Sequence, residues 1–327
     1  MSRALWKKQV LTGLAAFIVL WLGFEAFQFT SNVIDSVEQK RRPRDFLRVL
    51  TLNTWNCQGD FKKRAALIRQ CVAAAEPDII AFQEVLRYPG FDPLEALGGT
   101  TWPHSVYAQA HSRRKWIPDF ADQELGNAIL SKWPITASEE LKLPVAPGQE
   151  RRVAIQASIK APRGSINVIT THLSHRHDET FVRQRQVLAL AEAAKDVGTN
   201  ISVVMGDFNA DPRTDEIRFM TGRHGIRDRK TERTTFFQDA MDTAGLSTAT
   251  WNHEHPYNRE VSSQLTSLTA QQKWETSRRI DYVFVAPPAS KRTMAGKVER
   301  AAVTCWPVDN TLAPSDHLAV VADIAWE

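Results

Sequence analysis

The hydrophobic pattern changes character once along the chain. Gln9 to Phe24 (QVLTGLAAFIVLWLGF) carries no charge; the run is interrupted at Glu25 and resumes as AFQF. From Phe46 onward the apolar positions fall into short blocks, separated by stretches where they recur every three or four residues. The blocks predict strands at Phe46–Asn53 (FLRVLTLN), Asp78–Phe82 (DIIAF), Asn127–Leu130, Val153–Ile159, Ile166–Thr171, Ile201–Met205 (ISVVM), Ile280–Val285 and Leu318–Ile324. Ala65, Ile68, Cys71, Val72 and Ala75 share one face of a helix predicted over Lys62–Ala75, which Pro77 ends. A second helical pattern spans Glu179–Val197 and stops at Gly198. Residues 221–277 show no strong period and read as long surface loops with a short helix. Strands and helices mixed at this spacing predict an α/β domain.

The first apolar run needs a separate reading. Val10–Phe29 is 20 residues, about 30 Å as a helix and roughly one hydrocarbon thickness. Arg3, Lys7 and Lys8 precede it, whereas the following flank opens with acids and reaches its bases only at Lys40. The positive-inside bias then leaves the N-terminus in the cytoplasm and the body across the membrane. A cleaved signal peptide has the same layout but needs small residues at its cleavage site, where GFEAFQFTSN is bulky. A buried or amphipathic helix is the third reading. The expected organisation is a membrane anchor or signal segment at 1–30, a polar linker at 31–45 and a folded domain at 46–327. The expected location is membrane-anchored, with the domain on the non-cytoplasmic side, or secreted if the segment is cleaved.

Composition narrows the classes. With 43% hydrophobic and 24% charged residues over 327 positions, a disordered chain, a collagen-like fibre and a multi-span membrane protein are excluded. Three cysteines (Cys57, Cys71, Cys305) exclude a disulfide-dense mini-protein and a Cys-rich zinc framework; their odd number leaves at least one unpaired within the chain. The net charge of +4 is local: residues 1–44 hold seven of the 41 bases and three of the 37 acids, so the remainder is formally neutral. A sequence-independent nucleic-acid binder usually carries a net basic surface, and this body does not supply one.

The informative polar residues sit at strand ends. RVLTLN ends at Asn53, DIIAFQE at Glu84 and INVITTH at His172; SVVMGDFN delivers Asp207 and Asn209. RIDYVFV carries Asp281 near its start, and Ser315-Asp316-His317 precedes the last strand. Ligand sites of α/β sheets collect at such ends, so these residues point to one shared site. Hard oxygen ligands with phosphate and water suit Mg²⁺ or Mn²⁺. His172, His175 and His177 lie close enough in sequence to keep zinc as an alternative.

Seven ordered motifs now carry a resemblance. LRVLTLNTWN, IIAFQEV, GNAILSKWPI, TTHLSHR, VVMGDFNADP, RRIDYVFV and PSDHLAVV resemble the successive motifs of the endonuclease/exonuclease/phosphatase superfamily over about residues 45–327. That superfamily includes deoxyribonuclease I, abasic-site endonucleases, sphingomyelinases and inositol polyphosphate 5-phosphatases. The resemblance implies a four-layer sandwich of two packed mixed β-sheets flanked by helices, and divalent-metal hydrolysis of a phosphate ester. It implies Glu84 as the main metal ligand, with Asn53 orienting Glu84 or the metal water, and Asp316 holding metal or orienting its neighbours. Asp207 would take a proton from the attacking water, and Asn209 would hold the phosphate or that water. Period two would put Asp207 and Asn209 on one face if the strand continues; the alternative is an Asx turn. Asp281 would fix the His317 ring against the phosphate, either as an imidazolium stabilising the transition state or as the base for water. His172 would donate to a phosphate oxygen, a position where abasic-site endonucleases tend to carry Tyr; His175 could face the substrate.

Other features weigh less. Arg183 and Gln186 share a helix face and read as support behind the site. Trp55, just after Asn53, is expected to line the cleft. The runs Arg113-Arg114-Lys115-Trp116 and Arg223 to Arg233 are either phosphate-gripping or solvated loops. The expected partners are a phosphoester substrate (phospholipid, other small phosphodiester or nucleic acid) and a membrane through the N-terminal helix. The alternative is a non-catalytic membrane-attached binding module on the same fold.

Overall fold

A computed structural model describes residues 46–87, 90–113, 123–195, 201–228, 231–258, 277–286 and 295–326. The chain order is β1 (Phe46–Asn53), α1 (Phe61–Ala75), β2 (Ile79–Arg87), α2 (Pro93–Gly98), β3 (His104–Arg113), β4 (Gln123–Ser131), β5 (Ile135–Leu143), β6 (Arg152–Ala161) and β7 (Gly164–His172). It continues with α3 (Thr180–Ala193), β8 (Ile201–Asp207), α4 (Asp215–Met220), β9 (Ile226–Asp228), β10 (Thr231–Arg233), β11 (Gln238–Asp239) and α5 (Ala240–Thr243). The last elements are β12 (Trp251–Asn252), β13 (Ser277–Arg278), β14 (Asp281–Val285), β15 (Val298–Thr304) and β16 (Ala319–Ala325).

Two six-stranded mixed sheets form, in the orders β15-β16-β1-β2-β4-β3 and β11-β14-β8-β7-β6-β5. Their parallel pairs are β1–β2 and β7–β8; the remaining ladders within them are antiparallel. Alternation explains how they stack. On β1, Leu47 and Val49 join a core shared with Val153, Ile155, Ile166, Val168, Val203, Met205 and Val283 of the other sheet. Leu50 and Leu52 point the other way, onto Ala65, Ile68 and Val72 of α1 and Leu94 and Leu97 of α2. On β8, Val203 and Met205 face inward while Val204 faces Val187, Leu190 and Ile217 of α3 and α4. Each central strand is therefore apolar on both faces, and its run reads as continuous rather than alternating. The two sheets pack face to face, with helices on their outer sides.

α1 has local reasons for its limits. The Asp60 side chain accepts the Lys63 N–H at 3.2 Å as an N-cap. Glu76 closes the helix in the left-handed conformation, and Pro77 cannot continue it. A disulfide joins Cys71 of α1 to Cys305, just beyond β15, and Cys57 is free.

Three of the longer strands escape the hydrophobic pattern. β5 is solvent-exposed over most of its length and is an edge strand, so ITASEELKL carries no apolar alternation. β15, an edge of the first sheet, is mostly exposed as well. β3 is the remaining edge of the first sheet. The expected loops of 221–277 contain the β9–β10 ribbon and α5 among their described residues. The membrane-anchored location is corrected: no helix among the described residues is long and apolar enough to cross a membrane. The segments 1–30 and 31–45, and the hydrophobic helix expected there, lie outside the described residues.

Behind the second sheet, Arg183 of α3 forms a buried pair with Glu216 of α4 at 3.0 Å. Removing one partner of such a pair leaves an uncompensated buried charge, at a cost of about 3–5 kcal/mol. Arg183→Leu should lower the urea midpoint by that equivalent without changing the slope; an unchanged midpoint would show that the pair carries no stability.

Candidate active site

The inter-sheet face turns polar at one end. On β1 it runs Leu47, Val49, Thr51, Asn53; on β7, Ile166, Val168, Thr170, His172; on β8, Ile201, Val203, Met205, Asp207. Gln83 of β2 donates to Thr51 Oγ1 and Thr170 Oγ1, both at 3.1 Å, and ties the sheets together just below the reactive groups. His172 lies beside Asp207 in the parallel β7–β8 register, and Asp281 faces Asp207 across the antiparallel β8–β14 pair. Thr250 Oγ1 accepts the N–H groups of Ile280 and Asp281 at 3.1 Å each, fixing where β14 begins.

Asp207 is the hub. Its Oδ2 accepts from Asn53 Nδ2 at 3.1 Å and lies 3.4 Å from His172 Nε2 and 3.9 Å from His317 Nε2. Its Oδ1 accepts the Asn209 N–H at 2.8 Å. Burial, reinforced by Asp281, pushes this carboxyl up to about 6, against the pull of His317 and of the Asn53 and Asn209 donors.

The two buried histidines are driven in opposite directions. His317 Nδ1 lies 2.9 Å from Asp281 Oδ2. Burial opposes its charge, but Asp281, Asp316 and Asp207 outweigh that and hold the ring well above the usual histidine range. His317 is therefore an imidazolium whose Nδ1–H donates to Asp281. Burial, followed by the Arg152 guanidinium, holds His172 well below that range, so it is neutral.

β2 bulges between Phe82 and Val85, and Glu84 takes φ 54° there. Its carboxylate is partly exposed; Oε1 accepts from Asn53 Nδ2 at 3.2 Å and Oε2 from Asn56 Nδ2 at 2.9 Å. Asn53 Oδ1 accepts the Trp55 N–H at 2.9 Å. Asn53 thus turns its N–H groups to both carboxylates, which suits an orienting group and not a metal ligand. Asp316 is buried, with Ser315 Oγ 3.3 Å from its Oδ1 and its carbonyl accepting from Asn258 Nδ2 at 3.0 Å. Burial, with Glu84 and Asp207 adding and His317 and Arg64 opposing, pushes Asp316 up to about 7.

Asn209 departs from the strand geometry. β8 ends at Asp207, Asn209 takes φ 50°, and the Asn209 N–H on Asp207 closes an Asx turn. Its side chain donates to the Leu173 carbonyl at 3.2 Å, so period two does not place it beside Asp207. His175 is exposed at the rim, with Nδ1 2.7 Å from Arg152 Nη2. A guanidinium only donates, so Nδ1 accepts and the ring's proton sits on Nε2. Burial of its inner edge and then Arg152 lower its basicity.

Several supports escaped the sequence reading. Arg152 opens β6 and is buried beside His175; its signal was an arginine at the head of an apolar block. Arg64 is fully buried on the apolar face of α1, a position its spacing from Phe61 and Ile68 discloses. Asn56 closes the LRVLTLNTWN motif, but an asparagine just after a strand reads as a turn residue. Gln186 and Arg183, expected from the sequence as support behind the site, hold the loop after β7: Gln186 Oε1 accepts the Ser174 N–H at 3.0 Å, and Arg183 Nη1 donates to the Ser174 and Arg176 carbonyls. Trp55 stacks on Tyr257 with centroids 4.6 Å apart and carries the Arg64 guanidinium 5.0 Å from its ring centre. Arg223 and Arg233 are engaged with Asp242 and Glu192 at the surface. His177 is exposed on the same loop as His175, while residues 114–122 lie outside the described residues.

The donor set suits a hard divalent cation: two carboxyl groups, Glu84 and Asp316, lie near each other, one partly open and one forced towards neutrality by burial. Among the described residues, Asp207, Asp281 and His317 bring ligand atoms within 4.8 Å of one another, although His317 Nδ1 is already engaged by Asp281. His172, His175 and His177 form no such cluster, so the zinc alternative finds no site there.

Two packed mixed sheets with a polar seam at one end frame the site. The chain belongs to the Endonuclease/Exonuclease/phosphatase family, whose model matches residues 54–317. The family includes phosphodiesterases, nucleases and phosphatases, and its enzymes depend on divalent metal ions. Among solved structures, the chain is similar to an endonuclease/exonuclease/phosphatase from Beutenbergia cavernae (21% identity, TM-score 0.59, 87% of this chain and 72% of that one). It is also similar to truncated Caenorhabditis elegans TDP2 (18%, 0.56, 86% and 97%) and to the human Nocturnin catalytic domain with bound sulfate (17%, 0.54, 87% and 96%). At these identities the likeness concerns the fold. A comparison with curated proteins found no match.

Gly206 shows how tightly the hub is placed. It has φ 146°, and a Cβ there would lie 2.0 Å from the Thr171 carbonyl oxygen. Gly206→Ala should cost about 2–3 kcal/mol in denaturant unfolding, because neither strand backbone can yield freely. A loss below 0.5 kcal/mol, as a rough threshold for ordinary surface changes, would contradict this account.

Proposed function

We propose that this chain is a divalent-metal-dependent hydrolase of phosphate esters, a phosphodiesterase in which water attacks phosphorus, with Mg²⁺ or Mn²⁺ as the metal. The observation that carries this reading is the buried Asp207 carboxyl, pushed up to about 6, between a neutral His172 and a charged His317 backed by Asp281. A carboxylate poised in that range can take a proton from water at neutral pH. The His317 imidazolium can donate to a phosphate oxygen as charge develops there, while Asp281 holds its ring. His172, neutral, can donate from one ring nitrogen. His175, exposed and with its proton on Nε2, can bind substrate at the rim, and Asn209 supports Asp207 through its backbone N–H. Glu84 and Asp316 would hold the metal, oriented on the Glu84 side by Asn53. When bound, the cation would neutralise phosphate charge and lower the pKa of water.

The substrate is a nucleic acid or a phospholipid or other small phosphodiester. The formally neutral body favours the small substrates; the family at large contains nucleases. The deciding assay is hydrolysis by the full chain with Mg²⁺ or Mn²⁺ and an EDTA control. Plasmid DNA, single-stranded RNA, sphingomyelin vesicles, bis-p-nitrophenyl phosphate and an inositol polyphosphate form the panel. One class should be cleaved only with metal. Glu84→Ala, Asp207→Asn and His317→Ala should each lose about 100-fold or more in kcat/KM, on the scale of about 3 kcal/mol for a preorganised group. Near-wild-type turnover in any of these variants would remove that residue from the mechanism, and silence on the whole panel would shift weight to a binding role.

A further inference from the structure

Glu84 is held on both oxygens, and the two holders differ. Asn53 divides its amide between Glu84 and Asp207. Asn56 donates to Glu84 alone among the hydrogen bonds of its side chain, and does so at the shorter distance, 2.9 Å against 3.2 Å. Glu84 itself is partly exposed on a bulge, where an unheld carboxylate would rotate. Two N–H donors, one on each oxygen, fix its plane and leave the remaining lone pairs for a cation.

The loop that presents Asn56 is strained and expensively supported. Trp55 and Asn56 are successive non-glycine residues at φ 52° and φ 38°. Such conformations persist only where the surroundings over-determine them. Arg64 does so. It is 0% exposed and donates to the carbonyls of Thr54 (2.9 Å), Trp55 (3.2 Å), Asn56 (2.9 Å), Gln58 (2.8 Å) and Pro314 (3.0 Å). Its hydrogen bonds thus fasten the turn after Asn53 to the residue just before Ser315-Asp316-His317. A fully buried guanidinium bonded only to backbone carbonyls loses its hydration without a direct carboxylate in return. Trp55 covers it, and Tyr257 covers Trp55 while its hydroxyl accepts the Ala313 N–H at 3.0 Å. The whole stack clamps two loops that carry Asn56 and Asp316.

We propose that Asn56 is a positioning residue for the Glu84 carboxylate, setting its orientation towards the metal, and that Arg64 holds Asn56 in that pose. The inference rests on the reading of Glu84 as a metal-holding group. The plain competing explanation is that Asn56 is there because asparagine tolerates φ > 0. Glycine separates the two, since Asn56→Gly keeps the backbone conformation at no steric cost and deletes only the amide.

The experiment measures Mn²⁺ binding to the full chain, by calorimetry and by electron spin resonance of free Mn²⁺, for wild type, Asn56→Gly, Arg64→Lys and Glu84→Ala. Asn56→Gly should keep its melting temperature without metal but bind Mn²⁺ about 10- to 100-fold more weakly. Its turnover should recover towards wild type as Mn²⁺ is raised, which a loss of general stability would not produce. Arg64→Lys should shift binding in the same direction with a lower melting temperature, because one ammonium cannot span five carbonyls. Asn56→Ser, too short to reach Glu84, repeats the measurement if the glycine variant fails to fold. Wild-type Mn²⁺ affinity in Asn56→Gly, or in Asn56→Ser where that replaces it, beside a weakened Glu84→Ala overturns the inference and leaves the reading of Glu84 standing. Wild-type affinity in Glu84→Ala as well overturns both.

Discussion

Asp207 ends a strand whose alternate side chains, Ile201, Val203 and Met205, are buried between two sheets, and that shared face governs the site. Slipping β8 by one residue would turn these side chains towards the helices and Asp207 away from His172 and Asp281. Each buried side chain of this size is worth about 1.5–3 kcal/mol, so the core that holds the register is large compared with the electrostatic cost at its end. The same phase places Thr170 and His172 on β7 and Thr51 and Asn53 on β1. Chemistry at the rim is thus a continuation of packing in the middle.

That core also sustains local strain. Trp55, Asn56, Glu84 and Asn209 are non-glycine residues with positive φ, and all four lie at the site. Each is fixed from outside its own backbone: the first two by Arg64, Glu84 by the bulge against β4, and Asn209 by Asp207 and by Arg278 Nη2 on its carbonyl at 3.1 Å. The buried charges are treated in the same way. Burial disfavours charge on both rings; three carboxyl groups outweigh it at His317, whereas at His172 the Arg152 guanidinium adds to it. Neighbours placed by the sheets decide which imidazole is charged.

The central strands were legible because burial on both faces writes a continuous apolar run, and the residues at their ends were legible because a carboxylate or histidine interrupts that run. β5 and β15 were not, since an exposed edge needs no pattern. Arg152, Arg64 and Asn56 were missed for a different reason. Their partners are a ring nitrogen, five carbonyls and a carboxylate that lie up to 250 residues away in sequence, as the Arg64–Pro314 bond does. Local spacing cannot encode a partner of that kind. Asn209 was half legible: GDFN signals both a strand end and a turn, and the turn prevails because the Asp207 carboxylate finds the Asn209 N–H before another strand residue can form.

Asn53 joins the two halves of this arrangement. One amide nitrogen donates to Glu84 of the first sheet at 3.2 Å and to Asp207 of the second at 3.1 Å. Two carboxylates brought this close would repel, and the two protons of that nitrogen lie between them. The contact makes the position of the group assigned to the metal depend on the position of the group assigned to the proton. Asn53 in turn is held through its oxygen by the Trp55 N–H and through its carbonyl by Ser315 Oγ at 2.6 Å. A shift in the Ser315-Asp316-His317 segment therefore reaches both Glu84 and Asp207 through this side chain. The two sheets supply the rigidity, and this one bridge sets the distance at which their carboxylates work together.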